Sequence, residues 1–141
     1  MQCDSIVWNY VFKALNEKYW DECLTWVPTF YCDLSENPDL LANFEFTPEG
    51  FNSIKLSKNQ NLTTQELIGV LLHEMCHQFV FQNYGFEVAP HGKEWQAAMR
   101  NVGFVGKINE ETSGLEFCDE NLCAEVIARH NELINEFGIN S

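Results

Sequence analysis

The sequence has few basic residues, no long apolar run and no export signal, and each of these absences excludes a class of protein. Eight Lys and Arg against 21 Asp and Glu give a net charge of −13. A chain this acidic repels a phosphate backbone, so broad DNA binding is not expected. No apolar run approaches the roughly 20 residues that span a bilayer, and the first residues lack the basic and apolar segments of a secretory signal. We therefore expect a soluble, cytoplasmic protein without a membrane partner.

Paired cysteine motifs are also missing. The six cysteines lie at positions 3, 23, 32, 76, 118 and 123, and none forms a C-x-x-C pair. The one close pair, Cys118 and Cys123, has no second pair with which to complete a four-thiolate zinc site, so no zinc ribbon is expected. We expect reduced thiols that are mostly buried as small apolar residues. A disulfide between Cys118 and Cys123 is the less favoured alternative.

The residues that are present suffice for one folded domain over positions 1–141, because 45% of them are hydrophobic and 13% aromatic. Helical spacing of apolar residues predicts a first helix from Ser5 to about Cys23, with Asp4 or Ser5 as its N-cap. The β-forming residues of Thr25–Cys32 indicate a short strand. Alternating residues around positions 44–46 and 53–57, separated by turn residues at 47–50, predict two adjacent antiparallel strands.

Three further helices follow. Thr63 and Glu66 have the spacing of a capping box and open a long helix that should end near Gly85. Another helix should begin near Pro90 and stop at Gly103. An acidic amphipathic helix is expected over about residues 120–137, stopped by Gly138. Helices around a small, mostly antiparallel sheet make the fold class α+β.

The long predicted helix contains the motif H-E-x-x-H at positions 73–77. His73 and His77 are four residues apart, so both imidazoles lie on one face and can bind one ion. Zinc accepts imidazole nitrogen and, in catalytic sites, keeps one position for water. Glu74 points beside this face, as a base rather than a ligand. The apolar residues fall on a separate arc of the helix, comprising Ile68, Leu71, Leu72, Met75, Cys76 and Phe79.

A third ligand is needed, and His91 is the best candidate. It follows His77 by fourteen residues, just before the next predicted helix, so the chain can turn back and bring it to the other two. A helix N-terminus also disfavours a charged imidazolium, which keeps His91 available as a ligand. Glu94 and Glu87 are rival third ligands. His130, in the acidic C-terminal helix, is more simply explained as a surface or packing residue.

These segments resemble the SprT-like metalloprotease domain, the family that includes Spartan. That family pairs H-E-M-x-H with a later H-G-x-x-aromatic segment, matched here by His73–His77 and His91–Trp95. The similarity extends over roughly residues 10–105. It implies a minimal zincin-like fold with one catalytic zinc on His73, His77 and His91. Some members act on proteins crosslinked to DNA, but the basic DNA-binding surface on which they rely is not supplied by a net charge of −13.

The expected activity is therefore zinc-dependent hydrolysis of peptide bonds in protein substrates, with Glu74 as general base. Ser53, Ile54, Lys55 and Leu56 are the candidate substrate-binding residues, as an edge strand that pairs with an extended peptide. The alternative is a non-catalytic acidic zinc protein that occupies a basic or nucleic-acid-binding partner.

Overall fold

Four helices and a three-stranded sheet form the part of the chain that the computed structural model describes, which comprises residues 5–46, 49, 52–85, 87–117 and 120–137. This confirms the α+β class. The elements follow in the order α1 (Ser5–Trp20), β1 (Thr29–Cys32), β2 (Ala42–Glu45), β3 (Ser53–Ser57), α2 (Thr64–Tyr84), α3 (Lys93–Asn101) and α4 (Glu120–Phe137).

The sheet is mixed, with the strand order β1-β3-β2. β2 and β3 pair antiparallel, Ala42 opposite Leu56 and Glu45 opposite Ser53, as predicted. β1 pairs with β3 in parallel, so the expectation of a mostly antiparallel sheet is wrong for one of these two pairings. The chain reverses direction twice between β1 and β3, and β3 then lies between the two earlier strands.

The position of β3 also corrects the predicted substrate strand. Ser53, Ile54, Lys55 and Leu56 were expected at a sheet edge, but β3 is the central strand, and its backbone is paired with β1 on one side and β2 on the other. Ile54 and Leu56 are fully buried. An extended peptide therefore cannot pair with β3. The outer edges of the described sheet belong to β1 and β2.

Helix α2 lies at the centre of the core. Thr63 Oγ1 accepts from the Glu66 backbone N–H at 3.2 Å, and the Glu66 carboxylate accepts from the Thr63 N–H at 3.0 Å, which confirms the capping box. Gly85, at φ +74°, ends the helix. The largest fully buried side chains come from α1, β3, α2 and α3: Trp8, Phe12, Leu15, Ile54, Leu56, Leu67, Ile68, Leu71, Leu72, Met75, Trp95 and Met99.

One helix boundary differs from the prediction. α1 ends at Trp20 rather than near Cys23, because Asp21 and Glu22 adopt left-handed backbone conformations with φ of 50° and 66°. α3 begins at Lys93, after Gly92, so His91 lies just before the helix as predicted. Asp4, Gly138 and most of the turn predicted at 47–50 lie outside the described residues.

The prediction that the cysteines are mostly buried is wrong for those that the structure describes. Of the three whose side chains are described, Cys76 is buried, Cys32 is half-buried and Cys23 is exposed, and all three are free thiols. Cys23 directly follows the left-handed turn that ends α1, and Cys32 ends an edge strand, so neither faces the core. Cys118 lies outside the described residues, as does any disulfide with Cys123. Within the described part of the chain, no helix combines the length and apolar character needed to cross a membrane.

Candidate metal centre

Two imidazoles face each other from one side of α2. His73 and His77 are one helical turn apart, and their Nε2 atoms are 3.1 Å apart. Both side chains are half-buried. Because α2 is regular and capped, the helix itself sets this spacing.

His91 completes the group from the segment between α2 and α3. Its ring centroid is 5.8 Å from that of His73 and 4.7 Å from that of His77. One ring nitrogen from each of the three histidines lies within 4.8 Å of the others, so the group could hold a metal ion. The Gln96 side-chain amide donates to the His91 carbonyl at 3.0 Å and ties this segment to α3.

The rival ligands are not part of this group. Among the described residues, the cluster able to hold a metal consists of the three histidines and includes neither Glu87 nor Glu94. Glu94 lies in the first turn of α3, and Glu87 is exposed. The His130 side chain lies outside the described part of the structure, so its assignment stays a prediction.

Trp95 packs against all three histidines. Its ring is stacked on His77 at 5.3 Å between centroids, and meets His73 at 5.0 Å and His91 at 4.7 Å edge to face. It is fully buried, and its indole N–H points to the His73 carbonyl at 3.5 Å. The sequence places Trp95 in the H-G-x-x-aromatic segment but does not predict its contact with the three histidines. The available signal was its fixed place in the H-G-x-x-aromatic segment.

Burial favours the neutral form of all three imidazoles, which is the form that a metal ion would require. Burial lowers the pKa of His73 to about 4, and repulsion by His91 adds to this. Burial, with repulsion by His73 and His91, lowers the pKa of His77 to about 3. The pKa of His91 is also lowered, by burial, against the opposing effect of Glu110. The direction expected for His91 is thus confirmed, with burial as the main cause rather than the helix N-terminus.

Glu74 is a buried carboxylate without a hydrogen-bond partner at Oε2. It is 7% exposed, and its Oε1 lies 3.8 Å from His73 Nε2. Burial raises the pKa of Glu74 to about 8. A buried polar group left unpaired is costly unless something else compensates it. A cation on the adjacent imidazoles would do so, and the three-imidazole donor set suits zinc.

Two cavities open on the centre, and Glu74 and His91 line both of them. The first, called here the aromatic cleft, measures about 420 Å³ and has mostly apolar walls: Phe44, Phe46, Val80, Phe81 and Val88. The second, called here the acidic cavity, measures about 260 Å³ and includes Asp39, Glu110 and Glu111.

The described residues that line these two cavities do not include Ser53, Ile54, Lys55 or Leu56. Lys55 instead forms an ion pair with Glu45 at 3.2 Å. The neighbouring strand β2 does border the centre, since Ala42 lines the acidic cavity, and Asn43 and Phe44 line the aromatic cleft.

The sequence profile of the SprT-like family matches residues 9–114, which is well over half of the chain. The chain belongs to the SprT-like family. It is similar to a Protein SprT of Actinobacillus succinogenes, at 32% identity over 87 residues, which cover 62% of this chain and 48% of that protein. A Protein SprT of Klebsiella pneumoniae is 48% identical over 52 residues, covering 36% of this chain and 28% of that protein.

This SprT-like chain thus matches less than half the length of these relatives. No solved structure gave a significant match. Family membership and the histidine group that could hold a metal both point to a metal-binding, zincin-like protein.

Proposed function

We propose that this protein is a zinc-dependent metallopeptidase that hydrolyses peptide bonds of protein substrates. One arrangement carries the proposal: three neutral imidazoles converge beside a buried, unpartnered carboxylate. Catalytic zinc sites use three protein ligands and leave a position open, whereas structural sites are usually closed by four. Three described ligands and an available carboxylate therefore favour catalysis over a purely structural site.

His73, His77 and His91 would hold the ion through their ring nitrogens. When bound, zinc supplies Lewis acidity, which lowers the pKa of water to about 7 and polarises a carbonyl group. Glu74 would accept the proton of the attacking water and deliver it to the leaving amine. Its position in both cavity walls gives the carboxylate access to a substrate on either side.

The outer edge of β2 is the better candidate for binding the substrate backbone. Among the described strands, β2 pairs with β3 on one side only, and its residues border both cavities. An extended peptide added to this edge would run past the three histidines. This strand replaces β3 in the predicted role.

Glu74→Gln tests the proposal directly, because it removes the proton acceptor while keeping the shape of the side chain. Zinc content, measured by elemental analysis, should stay at the wild-type level, while zinc-dependent casein cleavage falls by about 10²–10⁴-fold. Glu94→Gln is the matched control, since Glu94 lies outside the histidine group, and it should leave both quantities unchanged.

Equal cleavage of casein by Glu74→Gln and the wild type would contradict the proposed role of Glu74 as general base. The non-catalytic alternative makes a different prediction. A zinc-loaded protein that never cleaves casein, and that binds basic proteins equally well with or without Glu74→Gln, would support an acidic binding protein instead.

A further inference from the structure

The acidic cavity shares Glu74 and His91 with the aromatic cleft, and all its other lining residues differ from those of the cleft. It is lined by Asp39, from the turn before β2, and by Glu110 and Glu111, from the loop after α3, and all three are exposed residues. No Lys or Arg is found among the described residues that line it. The cavity thus carries negative charge in the free protein, and nothing described in its wall neutralises that charge.

A second observation connects this cavity to the reacting groups. Glu74 is more than nine-tenths buried, lines the cavity and has no hydrogen-bond partner at Oε2. The cavity therefore reaches the carboxylate proposed as the general base.

The loop that carries the two glutamates is held in place. The Glu111 backbone N–H donates to Asn109 Oδ1 at 2.8 Å, and the Asn109 N–H donates to Thr112 Oγ1 at 3.0 Å. Beyond them, Gly114 packs directly on Gly69 of α2, so closely that a Cβ on either glycine would clash with backbone atoms of the other. The carboxylates are thus presented by an ordered turn anchored to the active-site helix.

We propose that the acidic cavity is a specificity subsite for a Lys or Arg side chain of the substrate, next to the scissile bond. The inference rests on the proposed peptidase function. Leu40, Leu41 and Val70 form an apolar part of the wall, which suits the aliphatic stem of a long basic side chain while its charged end meets the carboxylates. The aromatic cleft takes an apolar residue on the other side of the bond.

The direction of β2 assigns these subsites to the two sides of the bond. β2 runs from Ala42, which lines the acidic cavity, to Phe44, which lines the aromatic cleft. Antiparallel pairing is the more stable kind, and a peptide bound that way to the outer edge runs from the aromatic cleft to the acidic cavity. The basic residue then lies on the C-terminal side of the cleaved bond.

The test uses the full chain loaded with zinc and pairs of peptides that differ only in Lys or Gln at the first two positions after the cleaved bond, which mass spectrometry locates. For the wild type, kcat/KM should be about tenfold higher for the Lys peptides, the combined effect expected of a few partly exposed ion pairs. In the triple variant Asp39→Asn/Glu110→Gln/Glu111→Gln, this Lys-to-Gln ratio should fall to about one.

Glu17→Gln/Glu22→Gln/Glu125→Gln is the control with the same change in net charge, made at exposed residues outside both cavities, and it should keep the wild-type ratio. Three results would overturn the subsite but not the proposed peptidase function. They are equal cleavage of Lys and Gln peptides by the wild type, an unchanged Lys-to-Gln ratio in the triple variant, and a preference for Lys only before the cleaved bond. Absence of zinc-dependent cleavage of every peptide would overturn the proposed function, and the subsite with it.

Discussion

The two parts of the candidate metal centre are built in different ways. His73 and His77 belong to a single capped helix, and their nitrogens are already 3.1 Å apart. His91 belongs to the segment between α2 and α3, and its position depends on Gln96 and on the ring of Trp95. Helix geometry thus positions two of the three imidazoles, called here the helical half of the site. Tertiary packing has to position His91, which forms the other half. The two halves should respond differently to mutation and to pH.

Removal of a ligand from either half should give the largest effect. Binding free energies of about 10–16 kcal/mol for four-ligand zinc sites correspond to about 3 kcal/mol per ligand, or more than a hundredfold in Kd. We expect His73→Ala to weaken zinc binding by about two hundredfold and His91→Ala by less, because His91→Ala leaves the helical pair intact. Competition with a chromophoric chelator measures both values. A larger loss for His91→Ala would show that the helical pair is not the stronger half.

Trp95 joins the two halves, since it contacts all three rings. Groups that orient metal ligands typically affect metal affinity by about 10–100-fold. We expect a loss in that range for Trp95→Ala and a smaller one for Trp95→Phe, which keeps an aromatic face. The visible absorption spectrum of the cobalt-substituted protein reports ligand geometry, and it should change in Trp95→Ala.

Trp26→Ala is the matched control, because this tryptophan is 59% exposed. It should leave affinity and spectrum unchanged. An unaltered cobalt spectrum in folded Trp95→Ala would mean that the ring fills the core without orienting the ligands.

The close contact between Gly114 and Gly69 anchors the loop beside the helical half. A Cβ on Gly114 would clash with the Gly69 carbonyl oxygen. Gly114→Ala should therefore lower the free energy of unfolding by about 1–3 kcal/mol, measured by urea denaturation. Gly106→Ala separates packing from backbone strain, since Gly106 also has positive φ but a Cβ at that position would meet nothing within 4 Å. Equal losses in both variants would assign the effect to strain alone.

The sequence predicts the helical half of the site more completely than the other half. The i, i+4 spacing of His73 and His77, the capping box and the apolar arc of α2 are local properties, so the sequence predicts them directly. The contact of Trp95 with three rings is not local. Helical spacing shows which residues share a face, but not what packs against that face.

The predicted position of β3 at a sheet edge was wrong for the same reason, because the order of strands in a sheet is not a local property. The alternation around Ile54 and Leu56 predicts a strand, and alternation is the same in an edge strand and in a central strand that is buried on one face. Only the tertiary structure, in which β3 lies between β1 and β2, shows that β3 is a central strand. The position of Glu110 beside the centre likewise depends on a loop anchored by two glycines, a contact that composition does not reveal.

The smallest expected effect is the pH dependence of zinc binding, and it distinguishes the two halves. A lowered pKa keeps an imidazole neutral, so His73 and His77, with pKa values of about 4 and 3, should stay available until the pH falls through about 4. Three ordinary histidines, with pKa values near 6.5, would lose on the order of a thousandfold in affinity between pH 7.5 and 5.5. Of the three imidazoles only His91, the least buried, can contribute much. Glu74, whose pKa burial raises to about 8, would add a pH dependence of its own, so the comparison is made in Glu74→Gln, where we expect a loss below about tenfold. Chelator competition across this range measures the loss, and adding His91→Ala should flatten what remains; a thousandfold loss in Glu74→Gln would mean that the helical pair titrates like free histidine.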